Sequence, residues 1–174
     1  MIPARRAGIL AVLFLTSGAC VSAKAQSGDT ILLGEFQHWA AYTFKAPDSK
    51  VCYISSRPRA SEPKTAKRGE AYFLVTHMPG RKPPIRAEVS TQIGYPFKMD
   101  AGVKLTVENE SFELYPNEEF AWADSVSDKK IVAAMKNGKT LTVKGTSWRG
   151  TETLDTYSLE GMPAALAKID EACK

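Results

Sequence analysis

The stretch LTVKGTSWRGTETLDTYSLEGMPAALAKIDEAC, residues 141–173, decides the fold of this chain. We interpret its first part as a β-strand, a tight turn at Ser147–Gly150 and a second strand. A short helix follows, and one stripe of it carries Met162, Leu166, Ile169 and Cys173. The rest of the chain must therefore pack against a hairpin and against a helix that ends on a cysteine.

The upstream sequence consists of short apolar segments separated by turn-forming residues, and it predicts about eight strands. Val103–Val107 alternates with period two, whereas Ala71–Thr76 is almost continuously apolar, which predicts a strand buried on both faces. A helix is predicted from Ser125, closed by the left-handed tolerance of Asn137–Gly138. The fold class predicted is mainly β, an antiparallel β-sandwich or barrel-like sheet with one internal helix and a C-terminal helix.

The first residues have the features of a secretory signal peptide. Arg5 and Arg6 precede the apolar run Ile9–Leu15, and Ala23–Ala25 forms a small-residue cleavage site. The apolar run is shorter than the roughly 20 residues of a membrane span. We predict a signal peptide at 1–25 and a single domain at 26–174. Lipidation at Cys20 is the alternative, because residues 17–20 partly resemble a lipoprotein processing site.

Cleavage would change both the charge and the cysteine count. The formal charge of +4 includes three cations of the peptide, Arg5, Arg6 and Lys24, and no acid of the peptide, so the mature chain carries +1. This small charge argues against nucleic-acid binding, and no transmembrane span is predicted after cleavage. We expect a periplasmic or secreted protein. Cys52 and Cys173 then remain as an even pair, for which an exported setting predicts a disulfide rather than a metal pair or a catalytic thiol.

Several blocks along the mature chain carry a family resemblance. They are Lys50–Tyr53, Arg68–Tyr72, Leu74–His77, Gly94–Lys98, Val143–Ser147, Arg149–Thr151, Asp155–Leu159 and Ala172–Cys173. In this order they resemble the bacterial invasion-associated locus B family, and the likeness covers essentially all of the mature chain. The resemblance implies an exported, mainly β envelope protein, associated in some members with the outer membrane and with host interaction. It implies no enzymatic activity and no catalytic residue.

The sequence contains few residues that suggest catalysis. The two histidines, His38 and His77, have no partners at recognisable spacing, and neighbouring Glu118 and Glu119 would point to opposite faces of a strand. We therefore predict no enzyme, no metal site and no cofactor. The alternative is a small envelope hydrolase whose site combines His77 with an acid and a nucleophile scattered in sequence.

The candidate binding surface consists of two basic loops and one exposed turn. Ser55–Gly69 is predicted to be a loop, a second basic loop follows Pro79, and Ser147–Gly150 presents a Trp and an Arg, two types common in interface hot spots. The candidate residues are Arg57, Arg59, Lys64, Lys67, Arg68, Arg81, Lys82, Trp148 and Arg149. The partner expected is an envelope component, either a protein, an anionic lipid or a glycan. The alternative is that the loops are merely solvated and that Trp148 folds back on the sheet.

Overall fold

A computed structural model describes residues 29–174 of the chain. The predicted signal peptide and Cys20 lie outside these residues. The described part contains eleven strands and two helices, where the sequence predicted about eight strands. Their bounds are β1 Ile31–Phe36, β2 Trp39–Lys45, β3 Lys50–Ser56, β4 Ala60–Glu62, β5 Tyr72–Met78, β6 Ile85–Gln92, β7 Val103–Val107, β8 Glu110–Asn117, β9 Phe120–Trp122, α1 Ser125–Asn137, β10 Thr140–Thr146, β11 Glu152–Ser158 and α2 Met162–Ala172.

The strands pair antiparallel in the order β1-β2-β3-β5-β6-β9-β8-β7-β10-β11-β4. The long strand β8 joins the two halves, because its first part pairs with β7 and its end pairs with β9. Across the core, Phe73 on β5 contacts Tyr157 on β11 edge-on, with ring centroids 5.8 Å apart. The predicted class is confirmed: a mainly antiparallel β fold with one internal and one C-terminal helix.

Alternation along β2, β3 and β5 gives the sheet a buried inner face and a half-exposed outer face. The inner residues of β5 are Phe73, Val75 and His77, all buried, whereas Tyr72 and Leu74 between them are half-buried. The prediction that this strand is buried on both faces is wrong, because helix α2 packs only on the inner face. A continuous apolar run can thus belong to a strand with one solvent-facing side.

Helix α1 begins where predicted, because Asp124 caps it. The Asp124 carboxylate accepts hydrogen bonds from the backbone N–H groups of Val126 and Ser127. The end of the helix differs from the prediction, since Gly138 has φ −87° and ψ 169°, an extended conformation rather than a left-handed one. Glycine is needed there for close packing, because a Cβ would lie 2.9 Å from Cγ1 of Val107.

The segment Ser55–Gly69, predicted to be entirely a loop, contains strand structure. Residues 55 and 56 continue β3, and β4 pairs with β11 so that Glu62 lies opposite Leu154 and Ala60 opposite Thr156. The polar sequence does not predict this short edge strand, because its stability comes from pairing with β11 and not from an apolar pattern of its own.

Candidate functional site

The candidate residues lie at two opposite ends of the sheet. The disulfide end comprises the turns at residues 46–49 and 79–84 and the C-terminus of α2. The tryptophan end comprises the loop at residues 57–69, the segment at residues 94–97 and the turn at residues 147–150. Strand β3 runs from the first end to the second, and seven residues at about 3.3 Å each separate them by roughly 20 Å. The nine candidate side chains therefore do not form one surface.

At the disulfide end, helix α2 is joined to β3 by the predicted pair of cysteines. Cys52 and Cys173 form a disulfide with a Cα–Cα distance of 6.1 Å, and both residues are buried. Beside them, the Lys50 ammonium donates a hydrogen bond of 2.6 Å to the carbonyl of Ala172. The lysine charge at this position also favours the negative end of the helix dipole.

His77 faces the same helix and is part of this attachment. Its ring is 2% exposed, and its Nε2 lies 2.9 Å from a carboxylate oxygen of Asp170 on α2. The Nδ1 accepts a hydrogen bond of 2.8 Å from the backbone N–H of Ala87, so Nε2 carries the hydrogen that is donated to Asp170. Because both ring nitrogens have structural partners, the arrangement does not favour the hydrolase in which His77 acts as a base.

The basic residues of the second loop also lie at the disulfide end. The Arg81 guanidinium is 3.6 Å from the carboxylate of Asp48, in the neighbouring turn, and Lys82 is exposed. The two turns are joined further by a hydrogen bond of 3.0 Å from the Gly80 N–H to the Ser49 hydroxyl. Arg81 thus participates in a contact between turns, whereas Lys82 beside it forms no ion pair with another described residue.

At the tryptophan end, Arg68 is an internal residue. Its side chain is 9% exposed and forms a two-pronged ion pair with Asp155 of β11, which is fully buried. The same guanidinium donates to the Ile93 carbonyl at 3.0 Å, and the Ser61 hydroxyl donates to Asp155 at 2.6 Å. The hydrogen bonds to Asp155 raise the pKa of Arg68 above its usual value, so the side chain stays charged. We therefore leave Arg68 out of the surface proposed below.

The loop at residues 57–69 is fixed to the segment at residues 94–97 by a close backbone approach. The Gly69 N–H donates to the Gly94 carbonyl at 2.8 Å, and Gly94 has φ +73°. A Cβ on Gly94 would lie 2.4 Å from the Gly69 carbonyl oxygen, so only glycine fits there. The loop is consequently ordered by contacts on both sides, with Arg68 on one and Gly69 on the other.

The turn at residues 147–150 presents its tryptophan to solvent. Trp148 is 59% exposed and does not fold back on the sheet, and the Arg149 guanidinium lies 4.7 Å from the centre of its indole ring. The turn is fixed by the bond from the Trp148 N–H to the Pro96 carbonyl, 2.9 Å, and by the bond from the Gly150 N–H to the Ser147 carbonyl, 2.8 Å. Its backbone is therefore preformed.

Arg57 and Arg59 border a polar groove of about 430 Å³ at the tryptophan end. Arg57 donates a hydrogen bond of 2.7 Å to the Tyr72 hydroxyl and lies 3.1 Å from the carboxylate of Glu70. Arg59 is exposed, and so are Lys64 and Lys67 further along the loop. No group of three or more His, Cys, Asp or Glu residues within residues 29–174 is arranged to hold a metal ion.

Asp128 is a second carboxyl group, besides that of Asp155, that is buried in the described part of the chain. It is buried at the start of α1, where burial raises its pKa to about 6 against the opposing effect of a hydrogen bond of 2.9 Å from the Val89 N–H. This carboxylate holds the helix against β6, and it lies far in sequence from the candidate surface. Its role is structural.

Three features of these ends were not predicted from the sequence. The partnership of Arg68 with Asp155 and that of His77 with Asp170 each join residues more than eighty positions apart, and no local pattern indicates them. The third is the outer aromatic face of β2 and β3, where Tyr42 stacks on Tyr53 with ring centroids 5.1 Å apart. Here a signal was present, because aromatics alternate along the strand that includes Tyr42 and Phe44.

The architecture defines a class: an antiparallel β domain closed by a C-terminal helix that a long-range disulfide attaches to the sheet. The model of the invasion associated locus B (IalB) protein family matches residues 39–170, which is most of the chain. The chain belongs to this family, as the resemblance of its sequence blocks predicted. No curated protein and no solved structure matches it. The family and the disulfide suggest an exported protein, and no helix within residues 29–174 is long and apolar enough to cross a membrane.

Proposed function

We propose that this protein is an exported, non-enzymatic component of the bacterial cell envelope that binds another envelope protein through the turn at residues 147–150. The observation that carries the proposal is the exposure of Trp148, 59%, on a turn whose backbone is already hydrogen-bonded. Removing a large apolar side chain from water is favourable, and a side chain as exposed as this one is removed from water only when a partner covers it.

The chemistry of the turn supports a protein partner. Tryptophan and arginine are the residue types most enriched in interface hot spots, and here Arg149 lies over the ring of Trp148. Because the backbone of the turn is fixed before binding, little conformational entropy is lost when a partner docks. The mature chain carries only one net positive charge, which gives it little general attraction to an anionic lipid surface.

The predicted signal peptide, the disulfide and the family together support a location in the periplasm, with association to the outer membrane through the partner. The absence of enzymatic activity is supported by the partners of His77, both of whose ring nitrogens bind structural groups. A supporting role in host interaction rests on the family alone.

The test is capture of the partner from living cells. Cells producing the wild-type protein or the Trp148→Ala variant are treated with a chemical crosslinker, and the protein is purified under denaturing conditions. We expect a reproducible crosslinked protein with the wild type, reduced at least fivefold in the variant. The Tyr115→Ala variant is the matched control, because Tyr115 is an exposed aromatic residue, 62%, on strand β8.

Equal recovery of the same partner with Trp148→Ala would overturn the assignment of this turn. Recovery of lipid only, in amounts that change with Trp148, would replace the protein partner with a membrane surface.

A further inference from the structure

The outer face of β2 and β3 carries aromatic rings that are only half-buried by the described part of the chain. Tyr42 stacks on Tyr53, and Phe44 meets Tyr53 edge-on with ring centroids 6.2 Å apart. These three residues are half-buried, whereas the residues on the inner face of the same strands are buried against helix α2 and the core. Burial raises the pKa of Tyr53, and the neighbouring Tyr42 adds to this effect. The Tyr53 hydroxyl therefore stays protonated at ordinary pH.

This aromatic strip leads into the polar groove at the tryptophan end. Tyr42 lines the groove together with Tyr72, and Arg57 and Arg59 stand at its border. The volume of the groove, about 430 Å³, is in the range of small-ligand sites. One ligand could therefore contact an aromatic ring and a guanidinium group at the same time.

Arg57 is held in place before any ligand binds. Its guanidinium lies 5.2 Å from the centre of the Tyr72 ring, donates to the Tyr72 hydroxyl and is 3.1 Å from Glu70. Arg59 is exposed and forms no ion pair among the described residues. A planar guanidinium matches the oxygens of a carboxylate, phosphate or sulfate group with two parallel hydrogen bonds.

The groove is also lined by hydrogen-bond acceptors. Glu35 and Ser55 line it, and the carboxylate of Glu35 would repel an isolated anion. It would, however, accept hydrogen bonds from hydroxyl groups. The groove thus combines an aromatic ring for an apolar sugar face, acceptors for hydroxyls and guanidinium groups for an acid.

We infer that this groove binds an acidic glycan, a pyranose chain that carries carboxylate, phosphate or sulfate groups. The sugar ring stacks on Tyr42, and the acidic substituent binds Arg59 with Arg57 beside it. The site uses none of the residues of the turn at residues 147–150, so it is independent of the protein partner proposed above. Two sources carry glycans of this chemistry, the core oligosaccharide of bacterial lipopolysaccharide and a sulfated host polysaccharide.

The experiment is calorimetric titration of the purified disulfide-bonded protein with two probes. These are a phosphorylated lipopolysaccharide core oligosaccharide and a heparin-derived tetrasaccharide, each compared with its dephosphorylated or desulfated, carboxyl-reduced form. We expect binding of at least one acidic probe, and a loss of about tenfold or more for its neutral form, because charge-assisted hydrogen bonds are lost. Which probe binds identifies the source.

Single-site variants separate the contribution of the aromatic ring from that of the guanidinium group. Tyr42→Ala and Arg59→Gln should each weaken binding about tenfold, whereas Tyr42→Phe should retain it because the ring remains. Tyr115→Ala is the matched aromatic control. The double variant Arg81→Gln/Lys82→Gln is the matched charge control, since it removes two positive charges at the disulfide end. Both controls should bind as the wild type does.

Several results would overturn the inference. They are no binding of either acidic probe, equal binding of the neutral forms, and an equal loss in the Arg81→Gln/Lys82→Gln control. A folded Arg59→Gln protein with unchanged affinity would have the same meaning, and so would tighter binding of a single-stranded oligonucleotide at the same residues. Loss of the crosslinked protein partner would leave the inference intact, because that result concerns Trp148.

Discussion

At the disulfide end of the domain, polar and charged side chains bind other groups of the fold. At the tryptophan end, several such side chains project into solvent. His77 is hydrogen-bonded to Asp170 and to the Ala87 backbone, and Lys50 to the Ala172 carbonyl. Arg81 forms an ion pair with Asp48. At the other end, Arg68 is bound within the fold and Arg57 pairs with Glu70 at the surface. Trp148, Arg149 and Arg59 are exposed there. The two basic loops look alike in sequence, and only the structure distinguishes the contacts within the fold at one end from the exposed groups at the other, where we propose recognition.

Each end nevertheless has a buried connection that fixes it to the sheet. A disulfide fixes the helix at one end, and a buried ion pair fixes the loop at the other. The first is sensitive to reduction and the second to loss of either charge. Substitutions can therefore separate the two connections and measure how little the exposed groups contribute to stability.

The largest effect is expected from the disulfide. Its sequence separation is 121 residues, and the chain-entropy model gives about 4–5 kcal/mol for a ring of that length. The double variant Cys52→Ala/Cys173→Ala should lose up to about this much free energy of unfolding in urea denaturation. A midpoint equal to that of the wild type under oxidising conditions would show that the disulfide does not stabilise the attachment of α2.

The second effect concerns the buried ion pair. Asp155→Ala leaves the Arg68 charge nearly buried without its carboxylate partner, and should cost about 3 kcal/mol of unfolding free energy. The matched control is Glu70→Ala, which removes the exposed carboxylate beside Arg57 and should cost less than about 1 kcal/mol. If urea denaturation gives equal losses for the two variants, the loop at residues 57–69 does not depend on Asp155.

A smaller effect, specific to pH, is expected at Asp128, away from both ends. Its pKa in the folded protein is raised to about 6, so the folded state binds the proton more tightly than the unfolded state does. Stability therefore falls as pH rises toward 6 and remains lower above it. Asp128→Asn should remove this dependence, gaining about 1–2 kcal/mol relative to the wild type between pH 4 and pH 7.

The measurement is the free energy of unfolding of wild type and variant at several pH values. Asp100→Asn serves as a control with an exposed carboxylate. A difference between Asp128→Asn and wild type that is constant with pH would contradict the assignment.

The smallest effect on stability is expected at the exposed turn. Trp148→Ala and Arg149→Gln should each change the free energy of unfolding by no more than about 0.5 kcal/mol, because neither side chain is packed in the core. Thermal denaturation of the purified variants measures this. A loss of several kcal/mol would mean that Trp148 is a structural residue, and its exposure would then no longer indicate a binding site.

Much of the fold followed from the sequence because its signals are local. The alternation of Val103–Val107, the start of α1 at Ser125 and the stripe that ends on Cys173 each depend on residues close in sequence. Strand β4 was missed because its stability comes from pairing with β11, and the burial of β5 was misjudged because the sequence does not say that α2 covers only one face.

The candidate site was predicted less completely for the same reason. The exposed Trp148 turn is a local hairpin feature, and the sequence identified it as a candidate. Arg68 was placed on the surface because its loop is polar, and its partner Asp155 lies 87 residues away. The separation of Arg81 from Arg57 also depends on strand pairing, which places their loops at opposite ends of β3.

The central claim is that recognition takes place at the tryptophan end and not at the disulfide end. The most direct test places a photoreactive amino acid at either Thr151, beside the Trp148 turn, or Lys82, and irradiates living cells that produce each protein. Both positions are exposed, so both report on what lies near their own end. We predict a discrete crosslinked protein from position 151 and none from position 82. The same crosslink from position 82, with none from position 151, would contradict the account.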